Sequence, residues 1–293
     1  MIPGQLDLQR RQFALNEIEE LGYFRSVQWL ESTGSTNKST ALAIQAGTLS
    51  LPALLVTDRQ TSGVGRGANS WWSPAGCLMF SMAIPLVNKG TATNLGVSKL
   101  CDTDTPNTRV DLLPLRVGYT VAETLEPFVT HKPMLKWPND VYIADRKVCG
   151  VLIEVVPAFQ SSGSASVAVI GIGINCEVDF HDASKEIASA ATSVHSWAKP
   201  QNRGHTSPES VLVEFLHQWI AQEKQDSENP AWLSERWAER SLLDGKWVEV
   251  NQSGQFVRGV CLGISATGGL LLQDEQLQIT EVMAGSINSF MSL

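Results

Sequence analysis

From Leu243 onward the chain turns into short β segments broken by glycine, and this change of texture constrains the architecture more than any other feature. The runs 247–250, 256–264, 270–272 and 277–282 are apolar or β-branched and of strand length, with turn signals at Ser253-Gly254 and Thr267-Gly268-Gly269. Strands this short bury a face only by closing on one another, so the segment predicts a small β-barrel. The stretch before it is opposite in kind. Over 208–222, Ser207 can cap and Pro208 fits the first turn. Leu212, Phe215, Leu216, Trp219 and Ile220 then repeat at helical spacing.

Upstream, helices alternate irregularly with apolar runs. Strands are expected at 27–30, 53–56, 78–86, 133–144, 147–156 and 167–176, and helices at 5–21, 36–46, 112–125 and 230–240. Ser35 can cap the second helix and Gly47 stops it. Residues 87–111 are polar and read as a surface excursion, 161–166 as a Ser/Gly linker and 181–206 as loop. The class is α+β. Three units are expected: an N-terminal helical extension over 1–26, a main domain over 27–241, and the β-rich end over 242–293.

Composition narrows the function. A net charge of −8 leaves no broad basic field for nucleic acid. No run approaches the roughly 20 apolar residues of a membrane span, and the start lacks the apolar core of a signal peptide. The five cysteines form no CxxC pair and neighbour apolar residues, which suits buried thiols in a reducing, cytoplasmic compartment. The histidines show no metal spacing.

Four segments carry chemistry. The loop from Gln60 to Pro74 holds Gly63, Gly65 and Gly67, which can turn sharply and present N–H groups to an anion. Arg66 adds a fork suited to phosphate or carboxylate, and Trp71 and Trp72 can cover an aromatic face. The loop matches neither the Walker nor the dinucleotide pattern. The second segment joins Lys136-Trp137-Pro138-Asn139-Asp140 to Arg146 through Glu154. It reads as a hairpin with Asp140 and Lys147 near one end, a pair able to orient an amine and steady charge on an acyl phosphate. The third, Gly171-Ile172-Gly173-Ile174-Asn175, clears one strand face, either for a flat ligand or for close packing. The fourth, Ser35-Thr36-Asn37, is a polar helix start.

In this order the four segments resemble the biotin–protein ligase (biotin–[acetyl-CoA-carboxylase] ligase) family, over about residues 29 to 290. The resemblance implies a class II synthetase-like catalytic domain with a mainly antiparallel sheet, and an SH3-like C-terminal barrel. It implies formation of biotinyl-5'-AMP from biotin and ATP with Mg2+. Transfer to a lysine of the biotin carboxyl carrier domain of acetyl-CoA carboxylase or a related enzyme would follow. It also assigns roles. Ser35, Thr36, Asn37 and Gln60, with loop backbone at Gly63, Val64 and Gly65, would hold biotin, and Gly171 and Gly173 would border the ligand. Arg66 would grip the phosphate of the adenylate, and Lys147 the carboxylate and acyl phosphate. Asn139 and Asp140 would face the reacting acyl group, Asp140 helping the acceptor amine lose its proton. Asn175 would lie on the nucleotide side, and Trp71 would shield the adenylate.

The sequence departs from the family in places. Val64 stands where many members have arginine, and Asn288-Ser289-Phe290 where many end in Ser-Leu-Arg. The 87–111 excursion is long. Residues 1–28 are too few for a helix-turn-helix with its wing, so a monofunctional ligase without DNA binding is expected. The resemblance also allows a homodimer. Two rivals stay open at this point: a lipoate–protein ligase, and a non-catalytic biotin sensor.

Overall fold

The structure, a computed structural model, describes residues 3–67, 69–86, 110–158, 166–229 and 231–291. Most of the 87–111 excursion, nearly all of the 161–166 linker, and Cys101 lie outside them.

A seven-stranded sheet forms the body. Its strands are β1 (Ser26–Leu30), β2 (Ala53–Thr57), β3 (Cys77–Leu86), β4 (Met134–Lys136), β5 (Asp140–Ile143), β6 (Arg146–Pro157) and β7 (Ser166–Asn175), in the order β1-β2-β3-β7-β6-β5-β4. Only β1 and β2 run parallel, joined through helix α2 (Thr36–Gln45); every other pair is antiparallel, as expected.

Alternation along β7 decides which face becomes core. Ile170, Ile172 and Ile174 point one way and are buried, while Gly171, Gly173 and Asn175 point the other. The apolar face is covered by α3 (Leu113–Leu125) and α5 (Pro208–Glu228), with Phe80 of β3 edge-on to Phe215 at 5.3 Å. Each such buried side chain contributes about 1.5–3 kcal/mol, so slipping β7 by one residue would turn three isoleucines to the wrong side. Ser207 caps α5 as expected, its Oγ accepting from the Ser210 N–H. Helix α1 (Pro3–Leu21) lies against α5 through Ala14 and Ile18, and Arg11 donates to the Trp29 carbonyl at 2.6 Å.

Two expectations change in detail. The 181–206 segment is not all loop: Ser184 caps a short helix, α4 (Lys185–Ala190), and 3-10 turns follow at His195–Trp197 and Pro200–His205. The helix expected over 230–240 is only α6 (Trp232–Arg236), tightening to a 3-10 turn at Trp237–Glu239. There the chain is drawn into the sheet edge. The Leu135 N–H donates to the Arg240 carbonyl at 2.6 Å, and the buried Arg240 guanidinium pairs with Glu126.

The C-terminal part is a five-stranded antiparallel sheet, β8 (Trp247–Gln252), β9 (Gln255–Ile264), β10 (Leu270–Gln273), β11 (Ile279–Val282) and β12 (Ser286–Met291), in the order β11-β10-β9-β8-β12. Ser253 and Gly254, with φ of 54° and 96°, make the turn expected between the first two. Strand β12 goes beyond the four runs read from periodicity. Its residues are mostly exposed, so no alternating apolar pattern marks it. The two sheets touch through Trp137, whose buried indole N–H donates to the Gly268 carbonyl at 3.0 Å. Among the described residues no helix is long and apolar enough to cross a membrane, and Cys77, Cys149, Cys176 and Cys261 are buried free thiols. Burial raises the Cys77 thiol to about 12, so it stays protonated and unreactive.

Candidate active site

The polar face of the sheet floors a cleft of about 1130 Å³. Ladder pairing puts Ser81 opposite Gly171, Gly150 opposite Gly173, Gly150 opposite Asp140, and Asp140 opposite Lys136. Paired residues share a face, so these groups all project to one side. Lys147 should not join them, because it stands three positions from Gly150. A bulge corrects this: Cys149 pairs with Val141 but Lys147 with Tyr142, leaving Val148 as an extra residue. Lys147 therefore turns onto the face of Asp140, and its Nζ reaches Asp140 Oδ1 at 2.6 Å.

The bare strip on β6 and β7 is filled by the protein itself. A Cβ at Gly171 would lie 2.2 Å from Asn37 Oδ1, and one at Gly173 would lie 2.6 Å from the Trp71 ring. Of the two readings of this strip, close packing describes its immediate neighbours, and the cleft opens beside them. Asn37 receives a hydrogen bond from Ser81 Oγ at 2.7 Å and donates to Glu154 at 2.8 Å and to the Leu152 carbonyl at 3.3 Å. Its amide is thus spent holding α2 to the sheet. The Trp71 ring spans Gly173 and Gly150, with the Lys147 ammonium 5.7 Å from its centroid, and its Nε1 is buried.

We expect Gly171→Ala to drive the Asn37 amide off its three partners. Overpacking costs about 1–3 kcal/mol and an unsatisfied buried amide about as much again. For a chain of this size the melting temperature should fall by roughly 5–15 °C, measured by thermal unfolding. A midpoint within a degree or so of the parent would refute the packing account.

At one end of the cleft the start of α2 is closed from outside. Ser35 occupies the capping position, but its side chain makes no capping bond. Gln60 acts instead, its Oε1 accepting from the Thr36 N–H at 2.7 Å and from Thr36 Oγ1 at 3.2 Å. That frees the Ser35 hydroxyl for the cleft, which Ser35, Thr36 and Gln60 line together.

The glycine loop is a small hairpin rather than an open anion nest. The Trp71 N–H donates to Gly63 O at 3.0 Å, Val64 bridges Ser70, and the Gly65 N–H donates to Asn69 O at 2.8 Å. Gly63 is needed because a Cβ would meet Trp71 O at 2.5 Å, and Gly67 because its φ is 65°. At least the Gly65 N–H, expected to face an anion, is already spent. The hairpin instead delivers Arg66 from its tip. Nη1 donates to Asn139 Oδ1 at 3.3 Å, and Nη2 donates to the carbonyl of Gly285 in the C-terminal sheet. Burial lowers the Arg66 pKa, with Asp140 opposing that shift. Asn139 is fixed in turn, donating to Val151 O at 2.7 Å. Asn175 lines the opposite end and donates to Thr192 O at 3.1 Å.

All the residues singled out from sequence except Gly63 line this cleft, and Gly63 shapes the hairpin behind it. Sequence reading missed what the C-terminal sheet supplies: Asn251, Gln252 and Ser253 from one turn, and Ala284 to Ile287 from another. Gln252 braces the second turn by donating to Ala284 O at 2.9 Å. The available signal was Gly285, where a Cβ would meet Val250 at 2.5 Å.

The arrangement offers hydrogen-bonding groups at one end, a carboxylate–ammonium pair at the centre, and a guanidinium bridging body and barrel. The chain is similar to known proteins over most of its length. The chain is 27% identical over 265 residues to the bifunctional ligase/repressor BirA of Escherichia coli, covering 90% of this chain and 74% of that one. It is 27% identical to the biotin–[acetyl-CoA-carboxylase] ligase of Mycobacterium tuberculosis, covering 85% of this chain and 84% of that. The solved biotin protein ligase of Aquifex aeolicus, in complex with biotin and ATP, superposes with a TM-score of 0.67 at 28% identity, over 92% of this chain and all of that one. The profile of the biotin/lipoate A/B protein ligase family matches residues 29–175. That span runs from within β1 to the last residue of β7, half of the chain, and includes Ser35, Gln60, Arg66, Asp140, Lys147 and Asn175 of the cleft, so the chain belongs to the biotin/lipoate A/B protein ligase family.

Proposed function

We propose that this protein activates biotin with ATP and transfers the biotinyl group to a lysine of a biotin carboxyl carrier protein. The observation that carries this reading is the convergence of Arg66, Asp140 and Lys147 on one cleft whose far end holds Ser35, Thr36 and Gln60. The division at about residue 241 into catalytic and C-terminal domains belongs to the same reading.

In the first step a biotin carboxylate oxygen attacks the α-phosphorus of ATP, the bond to the β-phosphate breaks, and pyrophosphate leaves. Ser35, Thr36 and Gln60 hold the ureido group, whose few polar atoms need matched partners, and Trp71 walls the apolar part. Lys147 offsets the charge that grows around the phosphorus, and Arg66 grips the phosphate of the adenylate once it has formed. Asn37 acts at one remove, as a positioning residue for α2, and Asn139 orients Arg66. In the second step the neutral amine of the acceptor lysine attacks the acyl carbon, and the bond to AMP breaks. Asp140 receives the departing amine proton through the oxygen not engaged by Lys147.

Mg2+ would enter with the nucleotide. Among the described residues no group of three or more His, Cys, Asp or Glu side chains could hold an ion, so the fit is to a metal carried on phosphate oxygens. There it would offset charge on the leaving pyrophosphate.

Two measurements test the reading. Labelled biotin, ATP and a carrier domain incubated with the protein should give labelled carrier. Calorimetry should show tight binding of biotin and little or none of lipoate; equal affinity for the two acids would sink the biotin assignment.

A further inference from the structure

Helix α1 has no part in the roles above, yet it meets the body at its least supported strand. β1 is an edge strand, paired on one side only, with β2. Past the ends of these two strands their backbones stay in register. The Asp58 N–H donates to Leu30 O at 3.0 Å, the Thr33 N–H to Arg59 O at 3.0 Å, and the Thr61 N–H to Thr33 O at 2.9 Å. One side of this short ladder leads into Ser35 and Thr36, and the other carries Gln60. How firmly the edge pair is held therefore sets the geometry of that end of the cleft.

Arg11 supplies the hold. Leu30 O faces β2, so Trp29 O faces out from the edge, where Arg11 Nη2 donates to it at 2.6 Å. Arg11 Nη1 donates to Asp58 Oδ2 at 3.4 Å, and the Trp29 indole N–H donates to Asp58 Oδ1 at 2.6 Å. One carboxylate thus joins α1, β1 and the residue that follows β2. The helix is itself anchored on the core, with Ala14 and Ile18 buried, and just beyond it the Tyr23 hydroxyl donates to Glu223 of α5 at 2.5 Å.

We propose that Arg11 is a positioning residue for biotin: from α1 it fixes the free edge of β1 and, through Asp58, the segment that presents Gln60 to Thr36. The inference rests on the biotin-binding reading above. The ion pair with the half-exposed Asp58 contributes little alone, because water and salt screen it. The bond to Trp29 O counts for more, since a guanidinium there meets a backbone acceptor that no neighbouring strand takes up. Arg10 gives the contrast on the same helix. Its Nη1 makes only a 3.8 Å ion pair with Glu177, with both side chains about a third exposed.

The test uses the full chain, with biotin as probe in the adenylation assay and amide hydrogen exchange beside it. Arg11→Ala should raise the KM for biotin by about threefold to tenfold, for one lost charge-assisted contact that acts indirectly. The KM for ATP and the maximal rate of pyrophosphate release should stay near those of the parent. Amide exchange over 31–36 and 58–62 should speed up by a similar factor while α5 keeps its protection. Arg11→Lys, which keeps the charge but not the fork, should recover part of the loss. Trp29→Phe, which removes only the indole donor to Asp58, should give a smaller shift in the same direction. Arg10→Ala should behave as the parent. An unchanged KM for biotin with unchanged exchange over 31–36 in Arg11→Ala overturns the role. So does an equal rise in the KM for ATP, or an Arg10→Ala defect as large as that of Arg11→Ala, since either marks general loosening of the fold. If the parent binds no biotin, the proposed function falls, and the exchange pattern alone decides whether Arg11 holds this segment.

Discussion

Lys147→Ala should lower the rate of biotinyl-adenylate formation by about 10²–10³-fold, the usual cost of removing one preorganised group that meets charge developing in the transition state. The reason lies in the β6 bulge. With regular pairing Lys147 would fall opposite Ile143 and face the buried side of the sheet, so the strand takes a bulge at Val148 to bring its ammonium to Asp140 at 2.6 Å. Removing the ammonium takes away the charge that steadies the phosphorane-like oxygens, and it leaves the Asp140 carboxylate repelling the incoming triphosphate. Both effects act on the chemical step. Lys147→Arg is the informative companion: it keeps the charge but not the compact point geometry, and should recover only part of the rate. Pyrophosphate release under single-turnover conditions reads the step directly. Full-speed adenylation in Lys147→Ala would show that the Asp140–Lys147 pair is structural.

Much of this site is legible in sequence because its makers are contiguous. Lys136 to Asp140, Arg146 to Glu154 and Gly171 to Asn175 each lie on one strand or turn, and alternation predicts which residues share a face everywhere but at Lys147. The apolar runs 53–56, 78–86 and 167–176 are likewise strands in the structure, to within a residue or so at each end. What escapes the sequence is contact between segments. Asn37 looks like one more polar group at a helix start. Only the sheet shows that its amide lies on Gly171 and is consumed by Ser81, Glu154 and Leu152. Ser35 has the right chemistry for a cap, yet Gln60, more than twenty residues on, does the capping. The glycines of the loop suggest an anion nest, but φ preference does not reveal that Gly63 and Gly65 serve a hairpin. The bulge at Val148 has no composition signature at all. The barrel's share of the cleft is the least legible part: Gln252 and Gly285 sit in ordinary turns, and their meaning comes from where the body places Arg66.

Arg66→Gly should separate the two half-reactions. In the structure the Arg66 side chain ties the hairpin tip to Asn139 on the body and to Gly285 on the barrel, so it fastens the loop across the cleft mouth. With an adenylate bound, the same fork has a phosphate to hold, and a phosphate is a stronger acceptor than a carbonyl. Glycine removes that contact and the fastening together. One hydrogen bond to a charged group is worth about 1.5–3 kcal/mol, and each 1.4 kcal/mol is about tenfold in an equilibrium constant. The adenylate should therefore escape roughly ten to a hundred times more readily. Adenylation itself should persist, because Lys147 and Asp140 remain in place. Freed biotinyl-AMP is a reactive mixed anhydride, so exposed lysines of bystander proteins should become labelled while the carrier receives less. The measurement is pyrophosphate release beside a bystander-labelling blot for Arg66→Gly and Lys147→Ala. Release abolished in Arg66→Gly but intact in Lys147→Ala would reverse the roles: the loop arginine would then serve the chemical step, and the strand lysine would only hold Asp140 in place.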